Sequence, residues 1–122
     1  MVPDWAGYVR HREGFESIID QRFYGLDWIE RQILEGRYVV FANDRAAALA
    51  EIKTYPTGAR ELHYLAGTGE LDALLHEIRP DLEQWGRDQG CITAVMESRE
   101  GWQRALGPFG YELFQVGLRK EL

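Results

Sequence analysis

The chain has a single cysteine, only four prolines, and no apolar stretch near membrane-spanning length. One thiol, Cys91, cannot close an internal disulfide, which suits a reducing compartment. Cys91 opens an apolar run and reads as a structural residue, because a nucleophile would need an exposed site and a neighbouring base. No basic-then-apolar leader begins the chain at Met1-Val2-Pro3-Asp4-Trp5, so the expectation is a cytoplasmic protein with no membrane segment. The three histidines, His11, His63 and His76, have no metal-ligand spacing with each other or with Cys91, and no metal site is expected. Basic residues are also scarce, 14 against 20 acidic ones for a net charge of −6, and Arg119-Lys120 is their only adjacent pair. Such a surface repels phosphate backbones and anionic lipid, which disfavours nucleic acid as a partner.

What is present fits one globular domain over residues 1–122: 122 residues, 45% of them hydrophobic, with 15 aromatic side chains to supply a core. In the N-terminal third, Phe15, Ile18, Ile19 and Phe23 recur at helical spacing, as do Trp28, Ile29, Gln32 and Ile33 over 27–35, which Gly36 ends. The period then changes. Tyr38–Ala42 and Ala46–Thr54 read as a hairpin about Asn43-Asp44, and Glu61–Ala66 as a third antiparallel strand. Gly67-Thr68-Gly69 reads as a tight turn into a helix carrying Leu71, Leu74, Leu75, Ile78, Leu82 and Trp85 on one stripe, with Thr68 as its N-cap. Pro80 lies inside that stripe and predicts a kink or a break. Cys91–Met96 reads as a strand covered on both faces, Gly101–Leu106 as a short helix, and Tyr111–Leu118 as a closing strand. Trp28, Trp85 and Trp102 fall in helical patterns and are expected in the core.

The order α-α-β-β-β-α-β-α-β resembles the Gcn5-related N-acetyltransferase (GNAT) family, in a shortened form. The local likeness is greatest over 90–96, 101–106 and the Gly110-Tyr111-Glu112 turn. The resemblance implies an α+β fold with a mixed, mostly antiparallel sheet. It also implies an acyl-CoA, acetyl-CoA for instance, lying where the third strand splays from the next. The donor's diphosphate would sit on backbone amides of Leu65, Ala66, Gly67, Thr68 and Gly69. That segment has no Arg, Lys or Gln, and the acidic residues Glu70 and Asp72 follow it at once. The tyrosine that many family members carry four residues before the glycine of the turn is Leu106 here, which donates no proton. Glu51, Glu61 and His63 on the central strands are the candidate bases, with Glu51 and His63 preferred.

Three readings follow. The preferred one is a non-catalytic scaffold or partner-binding protein with a degenerate acyl-CoA site, similar to short GNAT-like chains encoded among phage genes, and virion-associated if so. The alternative is an acyl-CoA-dependent N-acyltransferase acting on an unknown amine. An unrelated α+β binding domain is a third. A protein partner is expected, and the exposed edge near Tyr38–Ala42 offers a route to a homo-oligomer.

Overall fold

The computed structural model describes residues 4–97 and 101–122. Three short helices open the chain: α1 (Trp5–Arg10), α2 (Arg12–Ile18) and α3 (Leu26–Leu34). Asp4 caps α1 by accepting the amide of Gly7 at 3.0 Å. The sequence pattern missed α1, which lies ahead of the periodic run. It also carried the next helix too far: α2 stops at Ile18 and leaves Phe23 60% exposed.

Strands β1 (Val39–Ala42), β2 (Ala46–Thr54) and β3 (Arg60–Gly69) form the expected antiparallel meander, and β4 (Cys91–Met96) joins parallel to β3. The sheet order is β1-β2-β3-β4, so β1 is an edge as anticipated. The Asn43 side chain shapes the β1–β2 turn by accepting the amides of Arg45 and Ala46 at 2.9 and 3.0 Å. Residues 46–50 of β2 are all buried, and alternate members face opposite layers. Ala48 and Ala50 join Leu62, Tyr64, Ile78 and Leu82 on one side, while Ala47 and Leu49 join Tyr8, Phe15, Ile29 and Ile33 on the other. Small side chains on β2 let helices approach both faces of the sheet.

The parallel step from β3 to β4 needs a crossover, supplied by a helix continuous over 71–88: α4 (Leu71–Ala73), a π turn (Leu74–Ile78) and α5 (Arg79–Asp88). Pro80 does not divide it. The wide turn sends the Arg79 amide to the Leu74 carbonyl, and Pro80 has no N–H to offer the Leu75 carbonyl. The Arg79 side chain takes that place, its Nε donating to the Leu75 carbonyl at 2.9 Å.

Three further expectations are corrected. β4 is not covered on both faces: as the edge strand it leaves Ile92 75% exposed. After α6 (Gly101–Leu106) and a 3₁₀ turn (Gly107–Phe109), residues 111–118 form no strand, although they alternate as one should. Trp28 is 42% exposed and lies at the rim of the core, whereas Trp85 packs against it. No helix of the described residues is long and apolar enough to cross a membrane.

Candidate functional site

An irregularity in β3 creates the site. Leu49 of β2 faces Ala66 while the next residue, Ala50, faces Tyr64, so Leu65 is an extra residue bulging from β3. Pairing of β3 with β4 ends at the same place, at Tyr64 opposite Met96. Beyond it the β3 edge from Leu65 to Gly69 has no strand beside it among the described residues, and the sheet splits. A cleft of about 760 Å³ fills the split and reaches both layers. One wall is built from Leu65, Ala66 and Gly67 together with Leu74, Leu75 and Ile78 of the crossover helix. The other holds Glu51, Lys53 and His63 with Tyr24 and Tyr38, while Met96, Glu97, Trp102 and Leu106 line its β4–α6 side.

The two preferred bases are brought together. Glu51 and His63 are direct cross-strand partners on one face of the sheet, and both line the cleft. His63 is only 7% exposed. Its Nε2 lies 3.4 Å from the Glu97 carboxylate, and its buried Nδ1 has no hydrogen-bond partner among the described residues. A buried ring nitrogen without a partner is costly for a purely structural residue. Tyr38 stays a neutral phenol: burial first, then the Glu51 charge, pushes it up to about 12. Glu61, the third candidate, is engaged elsewhere, accepting from Tyr55 at 2.7 Å and Thr93 at 2.9 Å.

The candidate donor-binding segment divides. Leu65, Ala66 and Gly67 line the cleft, but Thr68 and Gly69 do not. Gly67-Thr68-Gly69 is the end of β3, paired to Ala48, Ala47 and Ala46, and so is not a turn. Thr68 is not the N-cap either. Glu70 holds that position, and the Thr68 side chain packs where α2 offers Gly14, so close that a Cβ there would lie 2.2 Å from the hydroxyl. Gly69, at φ +102°, turns the chain, and any Cβ on it would meet the Arg45 carbonyl at 2.4 Å.

A pantetheine arm fits here, because the unpaired β3 edge presents backbone amides and carbonyls to the cleft as a missing strand would. The nucleotide diphosphate does not. Arg45 is the guanidinium at the N-terminus of the crossover helix, and it is shared among Glu70 (3.0 Å), Asp72 (3.3 Å) and Glu77. Its pKa is raised by the hydrogen bonds to Glu70 and Asp72.

On the helix side a second network braces the cleft. Arg79 bonds Glu83 at 2.8 Å and stacks on Phe109 with 3.9 Å to the ring centre. Tyr111 donates to Glu83 at 2.9 Å, and its hydroxyl lies 3.2 Å from that of Tyr64. Burial pushes Tyr64 up to about 12. Sequence reasoning missed Tyr64, Arg79 and Glu97. Only the position of Tyr64 beside His63 hinted at it, since the others depend on where the helix and β4 end. Among the described residues no three His, Cys, Asp or Glu side chains converge as metal ligands would.

No protein-family model matches the sequence, and no curated protein matches it either. Solved structures do. An acetyltransferase of Trypanosoma brucei is similar over 100% of this chain and 97% of its own, at 14% identity and a TM-score of 0.72. An aminoglycoside N-acetyltransferase in complex with CoA is similar over 96% of this chain and 89% of its own, at 12% identity and 0.70. A predicted acetyltransferase of Clostridium acetobutylicum, crystallised with acetyl-CoA, is similar over 93% and 85%, at 12% identity and 0.64. At these identities the likeness establishes the fold. The expectation of a non-catalytic scaffold finds no support in these similarities.

Proposed function

We propose that this chain, which has the fold of the GNAT acetyltransferases, is an N-acyltransferase that moves an acyl group from a CoA-type thioester to an amine. The observation that carries this reading is the split of the sheet at Leu65. The split leaves a free β3 edge on one side of a cleft and pairs Glu51 with His63 on the other. The CoA and acetyl-CoA bound in two of the similar structures support it.

The chemistry divides between the walls. Amides of the β3 edge pair with the donor arm and orient the thioester carbonyl. Glu51 and Glu97 attract the acceptor's ammonium form, and the amine must lose a proton before it can attack. His63, which lines the cleft, accepts that proton. Attack on the carbonyl carbon forms the amide bond and breaks the C–S bond; the thiolate leaves with the electron pair and takes up the second proton, which the nitrogen sheds as it becomes an amide. Leu106 has no proton to give it, and the phenol lining the helix-side wall is Tyr64.

The test joins binding to turnover. Millimolar acetyl-CoA should raise the melting temperature, since a ligand present at ten times its Kd adds about 1.4 kcal/mol to the native state. Thiol release with a panel of primary amines should fall about 10²–10⁴-fold in His63→Gln, the usual contribution of a general base. An unmoved melting temperature together with no thiol release for any amine would sink the proposal.

A further inference from the structure

We infer that this cleft recognises its donor through the pantetheine arm and thioester alone, with the nucleotide diphosphate left in solvent. The inference rests on the acyltransferase reading and narrows it to one chemical class of donor, the S-acyl pantetheines.

Three observations converge on it. The cleft's wall stops at Gly67 on β3 and resumes at Leu74 on the helix, so residues 68–73, which hold the first helical amides, do not line it. Thr68 points to the other layer and packs against α2 at Gly14, so its hydroxyl does not face those amides. Arg45, the cation at that end, is bound by three carboxylates, Glu70, Asp72 and Glu77. One guanidinium against three carboxylates leaves two negative charges where a diphosphate would need positive ones. A phosphate there would have to displace a carboxylate from Arg45 and then lie beside it. Repulsion of this kind is exposed to solvent and weakens as salt shortens the Debye length.

The pantetheine arm meets none of this. It is uncharged, its two amides suit the free backbone edge from Leu65 onward, and the apolar side chains of Leu74, Leu75 and Ile78 border the same channel.

The experiment is calorimetric titration of the whole chain with acetyl-CoA and with S-acetylpantetheine, at 50 and 500 mM NaCl. The two Kd values should agree within about threefold at low salt. Added salt should tighten acetyl-CoA and leave S-acetylpantetheine unchanged. The double variant Glu70→Gln/Asp72→Asn, which frees Arg45, should tighten acetyl-CoA about tenfold and leave S-acetylpantetheine unchanged. Acetyl-CoA binding 100-fold tighter than S-acetylpantetheine, and weakening with salt, would overturn the inference while leaving the acyltransferase reading standing. Binding of neither compound would overturn both.

Discussion

At the scale of single residues, burial decides what the side chains can do. Tyr64 and Tyr38 are both pushed up to about 12, mainly by burial. A phenol whose folded pKa lies above its unfolded value near 10 contributes stability that is fully present below pH 10 and is lost as pH rises through 12. For Tyr64 the span is worth about 2–3 kcal/mol. Tyr64→Phe is therefore expected to be less stable than the parent at pH 8, lacking the contact with Tyr111, and to lose less stability between pH 10 and 12. Urea titrations across that range check it, and parallel losses in the two proteins would refute it. Cys91 shows the same logic: burial raises its pKa, so the thiolate is scarce. Its half-buried thiol should alkylate more slowly than free cysteine at pH 8, with mass spectrometry as the readout. The reading of Cys91 as structural came from its place at the head of an apolar run, and nothing in the run foretold that Ile92 beside it would face water.

At the scale of elements, the outcome depends on which backbone groups find partners. The crossover helix survives Pro80 because Arg79 serves the Leu75 carbonyl while also pairing Glu83 and stacking on Phe109. Arg79→Ala should cost about 1–3 kcal/mol, since it leaves the Leu75 carbonyl without its donor and takes the nearer cation from Glu83, which keeps Tyr111 and Arg87. Thermal unfolding measures it, and a change under 1 kcal/mol would mean the π turn holds by itself. Residues 111–118 illustrate the opposite case. Their alternation is strand-like, but an open groove of about 930 Å³ separates them from β4, and Leu113, Phe114 and Val116 are exposed. Amide exchange in this segment is expected at loop-like rates while Leu62 to Tyr64 stay protected. Strong protection across 113–117 would show that the strand forms. Periodicity located the hairpin and the crossover helix because their patterns coincide with packed faces, and a continuous apolar run located β4 although its Ile92 faces water. It failed at 111–118 because a pattern states which face a strand would bury and says nothing about a partner edge.

At the scale of the molecule, the split sheet gives a single cleft lined by residues of both layers. Donor and acceptor can then be held together, and Cys91, the one cysteine, lines the groove beside β4 and no wall of this cleft. Direct transfer in a ternary complex is the expected result. Initial-rate plots at varied donor and acceptor should intersect, and parallel lines would indicate a covalent acyl-enzyme instead. The acidic balance of the chain also takes a specific form here, since much of it gathers around Arg45 at one end of the site.

The sequence by itself determined the element types from α2 through α6, the hairpin turn at Asn43, the acidity beside Gly69 and the lack of a phenol at position 106. Each follows from local geometry or composition, which a linear pattern carries. Tertiary structure alone decided that Leu65 bulges, that Glu51 and His63 stand side by side, and that Arg45 is drawn to three carboxylates from across a turn. Register and convergence depend on contacts between residues distant along the chain, and these form only when the sheet and its two helical layers pack together.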